Sequence, residues 1–278
     1  MARWRTGGFV AGWAICVFGE VLDKVWEVKV TINADDFGKD ENASLAIVES
    51  FRRGFITQTT LMVNMPWADK AVELARKEGF SEKVGLHLNL TEGKPLTAAM
   101  SSCDVFCDAS GLYKGRLPSA KELKAKSAAK ALEQEIMAQV ERFLSFGLSF
   151  LHCDGHHHVQ ARPRVAKVLM PVLRHYGFRS IRRPINAYAN PFLPHLRSRL
   201  EEFVFKTYAR RNLLDVSSSV FGGWSAPTER IACSRRPGCL EVMVHPRYDA
   251  DGRLVDVTDF RNNTGRALEG LGRLIGVQ

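Results

Sequence analysis

Two neighbouring carboxylates, Asp35 and Asp36, follow an apolar β-type run over residues 28–32, within the stretch Asn33-Ala34-Asp35-Asp36-Phe37-Gly38. Acidic residues in turns are commonplace. Three further stretches, however, supply imidazoles: Gly85-Leu86-His87-Leu88-Asn89-Leu90, Asp154-Gly155-His156-His157-His158 and Val244-His245-Pro246. Each lies at or just beyond another strand-like run. Carboxylate and imidazole converging from several strand ends are the donors of a catalytic metal site, so the pattern points to a metal-dependent hydrolase.

The local sequence suggests a division of roles. Along an unbroken strand successive side chains face opposite ways, so one of Asp35 and Asp36 can bind a metal while its neighbour accepts a proton from water. His87 alternates against Leu86 and Leu88, and an imidazole buried there needs a partner. Three consecutive histidines cannot all face one ion, so one or two of His156, His157 and His158 are expected to reach it. The others can orient a ligand, contact substrate or face solvent, with Asp154 as an acceptor that orients one of them. His245, ahead of the turn-fixing Pro246, is a candidate general acid because imidazole titrates near neutral pH.

The elements that must carry these residues alternate between short β-type runs and longer helical patterns, the signature of βαβ units. Strands are expected at 28–32, 59–64, 84–90, 149–153, 178–182, 213–220 and 238–244. Helices are expected at 41–51, 66–78, 119–145, 164–176, 201–209 and 258–274, with Pro171 bending or dividing the fourth. Residues 91–117 hold Gly93, Pro95, Gly111 and Gly115 and lack periodicity; so long a loop beside a ligand-bearing strand reads as a lid or rim. About seven strands and helices suit a barrel or a doubly wound α/β sheet. Contributions from several separate strand ends favour the barrel.

A chain of 278 residues, 45% hydrophobic, can bury the core of such a domain. The expected organisation is one domain over 28–278 preceded by an extension at 1–27. The net charge of +9 is dispersed, with no basic run or aromatic-interleaved motif, so nucleic acid is not an expected partner. One concentration, Arg162, Arg164, Lys167, Arg174, Arg179, Arg182 and Arg183, follows the histidine cluster and reads as a solvated helix face. No run is long enough to span a membrane. Arg3 and Arg5 precede an apolar stretch at 9–18 in the order of a signal peptide, without a small-x-small cleavage site. A cytoplasmic location is expected, with export left open. The six cysteines form no paired framework, which favours a reducing compartment; Cys103 and Cys107 lack a second pair to complete a zinc site.

Taken in order, Asn33-Ala34-Asp35-Asp36-Phe37-Gly38, Gly85-Leu86-His87-Leu88-Asn89-Leu90-Thr91-Glu92-Gly93, Asp154-Gly155-His156-His157-His158 and Val244-His245-Pro246 resemble the YdjC-like carbohydrate deacetylases, the family that includes chitooligosaccharide deacetylase. The resemblance runs over about residues 29–248. It implies a distorted TIM-like (β/α) barrel that removes N-acetyl groups from amino sugars in short oligosaccharides, using one divalent metal ion, magnesium or zinc. It places the metal ligands on Asp36, His87 and His156, the base on Asp35, the acid on His245 and a substrate-binding arginine on Arg183. A homodimer is compatible with it. The sequence departs from the family at Gln160, where a further histidine is frequent. The competing expectations are another barrel metal hydrolase, such as a phosphoesterase, and a non-catalytic sugar-binding protein.

Overall fold

A computed structural model describes residues 29–119, 121–183, 196–216, 219–222 and 239–257. The N-terminal extension, the helix expected at 258–274, Cys16 and Cys233 lie outside these residues. Strands β1 (Lys29–Phe37), β2 (Gln58–Leu61), β3 (Val84–Leu88), β4 (His152–Gly155), β5 (Ser180–Ile181), β6 (Asp215–Val216), β7 (Ser219–Gly222) and β8 (Cys239–Val244) form one sheet. Its order is β6-β5-β4-β3-β2-β1-β8-β7, and every neighbouring pair is parallel. A single strand was expected at 213–220; the chain instead makes β6 on one edge of the sheet and β7 on the other. Only residues 217 and 218 separate them, and three steps of chain span at most roughly 11 Å. The sheet therefore curls until the end of β6 and the start of β7 lie within that distance, an open, curled form of the distorted TIM-like barrel.

The helices are α1 (Glu41–Arg52), α2 (Ala68–Lys77), the short α3 (Ala98–Ser101), α4 (Lys126–Ser145), α5 (Pro163–His175) and α6 (Leu196–Arg211). Asp40 caps α1, accepting from Ala43 N at 2.9 Å, and α1 buries the Ala43, Ala46, Ile47 and Ser50 stripe foreseen for it. Pro171 does not divide α5. It lies on the exposed face, as does Lys167 one turn earlier, so the carbonyl it leaves unbonded sits at the solvent side. No helix among the described residues is long and apolar enough to cross a membrane. Strand β3 is buried along its whole length, as expected of a parallel strand covered on both faces.

Glycine at 38 has a structural cause. It has φ +81°, and a Cβ there would lie 2.8 Å from Leu61 Cδ1 and 3.1 Å from Ala68 Cα. The chain can therefore leave β1 tightly enough to start α1 only with glycine in place. After β8 an antiparallel hairpin not foreseen from sequence, β9 (Pro246–Tyr248) with β10 (Leu254–Asp256), packs on α1. Asn42 fastens it, donating to Tyr248 O at 3.0 Å and accepting from Tyr248 N at 2.8 Å.

The aperiodic loop is pinned at its root by two polar residues on the buried stripe of α4. Glu135 accepts from Leu96 N, Thr97 N and Thr97 Oγ1 at 3.0, 2.9 and 2.8 Å. Gln139 holds both the N–H and the carbonyl of Asn89, at 3.0 and 2.7 Å. Cys103, Cys107 and Cys153 are free thiols.

Candidate active site

Every residue singled out for chemistry lies on the side of the sheet where its parallel strands end, the functional face of a barrel. Asp35 and Asp36 come from the end of β1, His87 from β3, Asp154 and His156 from the end of β4, and His245 directly follows β8. A bulge in the β1–β2 register between Ala34 and Phe37 coincides with a left-handed backbone at Asp36, φ 70°. That kink interrupts the side-chain alternation expected of a regular strand. Both carboxylates consequently lie within donor distance of His87.

Asp36, His87 and His156 bring one donor atom each to within 4.8 Å of one another. Asp36 Oδ1 lies 3.4 Å from His87 Nε2 and 2.8 Å from His156 Nδ1. The first separation is that of two donors on a tetrahedral ion with bonds of about 2.1 Å. Asp36 Oδ1 and His87 Nε2 are both buried and make no aligned hydrogen bond. Buried polar atoms normally find partners, so this pair fits a cation at their common focus. Burial alone would push the Asp36 carboxyl up, yet the facing imidazoles of His156 and His87 hold it well below the usual range.

Each imidazole is backed by a carboxylate, the arrangement that fixes ring orientation in metal sites. His87 Nδ1 lies 2.6 Å from Asp154 Oδ1. Burial disfavours a charge on His87, but Asp154 and Asp36 outweigh it and raise its pKa to about 10. His156 Nε2 lies 2.8 Å from Glu92 Oε2, which Lys39 Nζ also meets at 2.8 Å. Contact with His156, helped by Lys39, brings Glu92 down to about 2 against partial burial. Asn89 builds this support: its Oδ1 accepts from the backbone N–H groups of Thr91 and Glu92, each at 3.0 Å, and its Nδ2 donates to Glu92 O at 2.7 Å. With Nε2 engaged by Glu92, the Nδ1 of His156 faces Asp36. Glu92→Gln is expected to weaken divalent-metal affinity by about 10–100-fold with an unchanged melting temperature. Calorimetric titration with zinc or magnesium checks this, and equal affinity would remove the role.

Asp35 faces a different partner. Arg182, directly after β5 and fully buried, grips it with Nη1 on Oδ2 at 2.6 Å and Nη2 on Oδ1 at 2.7 Å. The same guanidinium meets Asp154 Oδ2 at 2.7 Å and Glu241 Oε1 at 2.5 Å. Burial would raise the Asp35 pKa, but Arg182, with His87 and His245, holds it below the ordinary carboxylate range. Two other groupings of possible metal donors, Asp35-His87-Asp154 and His152-Asp154-Glu241, surround this guanidinium, which supplies their positive charge. His245 Nε2 stands 3.9 Å from Asp35 Oδ2, and the backbone N–H of His245 donates to Asp256 Oδ1 at 3.2 Å.

The remaining residues divide plainly. His157 is exposed and meets Thr91 Oγ1 at 3.0 Å through Nδ1. Burial, with Arg182 nearby, lowers His158 to about 4, which keeps it neutral. Both have left-handed backbones, φ 52° and 54°, a strained conformation for histidine. Gln160 is fully buried with its Oε1 against Gly155, where a Cβ would come within 2.7 Å. Arg183 pairs with Glu202 of α6, while its neighbour Arg182 contacts the site carboxylates. Sequence reasoning assigned no role in the site to Arg182, Glu92, Lys39 or Glu241. Glu92 stood inside a quoted motif and Arg182 within the arginine concentration, but nothing in their spacing showed which way they turn.

A family model described as YdjC-like protein matches residues 29–269. A carbohydrate deacetylase of Geobacillus stearothermophilus is 32% identical over 217 residues, covering 78% of this chain and 78% of that protein. The carbohydrate deacetylase of Brevibacillus brevis is 38% identical over 149 residues, 54% of this chain and 57% of that protein. That of Mus musculus is 36% identical over 159 residues, 56% and 51% respectively. The chain thus matches little more than half the length of these last two. Among solved structures, an Enterococcus faecalis protein described as a putative cellobiose-phosphate cleavage protein superimposes with TM-score 0.65 at 21% identity, covering 88% of this chain and 95% of that one. The lactam utilization protein of Thermus thermophilus follows at TM-score 0.50 and 14% identity, covering 90% and 98%. At these identities the likeness is one of fold.

Proposed function

Because the chain belongs to the YdjC-like family, we propose that it is a metal-dependent carbohydrate deacetylase, hydrolysing the acetamide of an N-acetylated amino sugar in a short oligosaccharide. The observation that carries the reading is the meeting of Asp36, His87 and His156 at one focus, with Asp35 beside it in the grip of Arg182. A divalent ion held by Asp36, His87 and His156 supplies Lewis acidity toward water and the acetamide carbonyl. One carboxylate and two imidazoles suit zinc, and magnesium is the alternative ion for such a site.

The chain's own groups do the rest. Arg182 and Asn33, the latter donating to Asp35 Oδ1 at 2.7 Å, keep Asp35 ionised and oriented. Asp35 takes the proton from the attacking water as oxygen bonds to the acetamide carbon. His245, close to Asp35 and held by the hairpin, gives a proton to the nitrogen as the C–N bond breaks. Acetate and a free amino sugar leave. Arg183, by its match to the family arginine, contacts the saccharide. A two-metal phosphoesterase is less well supported, because a guanidinium fills the neighbouring carboxylate cluster where a second ion would bind.

The experiment is acetate release from di-N-acetylchitobiose by the metal-loaded protein. Release is expected, and chelation should abolish it until metal is returned. No acetate from any N-acetylated sugar, or release indifferent to chelator, would overturn the reading.

A further inference from the structure

Two polar residues stand on the buried stripe of α4. Glu135 and Gln139 are both fully buried, among Ala131, Leu132, Ile136, Val140 and Phe143. An apolar side chain at either place would have no polar atom to satisfy, whereas a buried carboxylate or amide is destabilising unless its atoms are bonded. Here every one of those atoms is bonded, and the bonds lead to the segment that follows β3. The Gln139 amide accepts from Asn89 N at 3.0 Å, donates to Asn89 O at 2.7 Å and donates to Glu135 Oε1 at 2.9 Å. The pairing of β3 with β2 ends at Leu86 and that with β4 at Leu88. For Asn89, one residue further on, the side chain of Gln139 takes the place of a neighbouring strand.

Two steps lead from Asn89 to an imidazole of the metal group. The Asn89 side chain holds both backbone groups of Glu92, accepting from its N–H at 3.0 Å and donating to its carbonyl at 2.7 Å. Glu92 Oε2 then meets His156 Nε2 at 2.8 Å. The Glu92 side chain is 37% exposed, so packing confines it little and its backbone decides where the carboxylate sits. A supporting group outside the ligands acts by holding a ligand within fractions of an ångström of its working position. A shift at Asn89 is therefore passed on to His156.

We propose that Gln139 is a positioning residue of the metal centre: braced by Glu135, it fixes Asn89, through Asn89 the carboxylate of Glu92, and through Glu92 the imidazole of His156. The root of the long loop, expected as a lid or rim, is on this assignment a fixed support of the site. The proposal rests on the reading of Asp36, His87 and His156 as a metal site and adds a residue of α4 that none of the strand-end motifs contains.

Calorimetric titration of the full chain with zinc, and separately with magnesium, tests it. Gln139→Met keeps the length of the side chain and loses its hydrogen bonds; it should weaken binding of the ion by about tenfold. Gln139→Asn, an amide one methylene short of Asn89, is the milder change and should weaken binding in the same direction. Both should also lower the melting temperature. Phe143→Leu, one turn along the same stripe and in contact with Phe178, controls for that: it should lower the melting temperature with metal affinity unchanged. Because the effect runs through Glu92, adding Gln139→Met to Glu92→Gln should cost less than about a further twofold. Metal affinity unchanged in both Gln139 variants, an equal loss in Phe143→Leu, or the full tenfold loss on top of Glu92→Gln overturns the proposal. Acetate release from di-N-acetylchitobiose keeps the readings apart. Release by the parent with equal metal affinity in the Gln139 variants sinks the positioning role alone. The expected pattern of affinities without acetate from any N-acetylated sugar sinks the deacetylase reading alone. A parent that binds neither ion overturns both.

Discussion

Arg182→Ala is expected to lower the melting temperature by on the order of 10 °C, through a loss of about 3–5 kcal/mol. The cause is electrostatic. Arg182 is fully buried, and Asp35, Asp154 and Glu241, all at most 2% exposed, are gathered around it within 2.5–2.7 Å. Removing the guanidinium strands three carboxylates in a dry interior, where each must find a proton or water. Against a total stability of roughly 5–15 kcal/mol this is a large fraction. Arg182→Lys should recover only part of the loss, since one ammonium cannot reproduce a forked guanidinium reaching three acids. Thermal and urea unfolding measure it. An Arg182→Ala protein that melts with the parent would show that these acids are neutral without their partner.

Asp36→Ala and Asp35→Asn should fail in opposite ways. Asp36 is the only anionic member of the Asp36-His87-His156 group. Its loss should weaken divalent-metal binding beyond the roughly 10–100-fold typical of a supporting residue. Alanine also suits the left-handed backbone at φ 70° poorly, so Asp36→Asn, which tolerates that backbone, separates lost ligation from lost fold. Asp35→Asn should keep the metal and lower turnover by about 10²–10⁴-fold, the contribution of a general base. Metal titration and acetate release on the same preparations distinguish them. Lost metal in Asp35→Asn, or retained affinity in Asp36→Ala, would reverse the assignment.

The sequence revealed most about residues whose placement follows from where a strand stops. Asp35, Asp36, His87, His156 and His245 were legible because apolar runs end at or beside them, and a parallel sheet brings such ends to one face. It was silent where the outcome depends on a turn of the backbone. The bulge at Asp36 brings two adjacent carboxylates to the same imidazole, His87, and no local signal distinguishes that from a regular strand. Arg182 and Arg183 are adjacent and chemically equal, and only the end of β5 decides which one enters the interior. On α4, Glu135 and Gln139 sit four apart on the apolar stripe. That spacing was a readable sign that the helix clamps something polar, which proved to be the root of the loop bearing Glu92. The split of 213–220 into two edge strands depends on sheet closure, a property of the whole barrel.

The place of β1 in the sheet also governs when the protein can assemble. It pairs on one side with β2, made soon after it, and on the other with β8, from Lys29↔Cys239 to Ala34↔Val244. During synthesis that second edge stays open while nearly the whole domain is made, and such distant pairing is the slow part of barrel folding. Asp35 is in place early, but His245 arrives with the last strand of the sheet. The proposed proton donor and base are thus joined only when β8 pairs with β1, and no N-terminal fragment ending before β8 contains both.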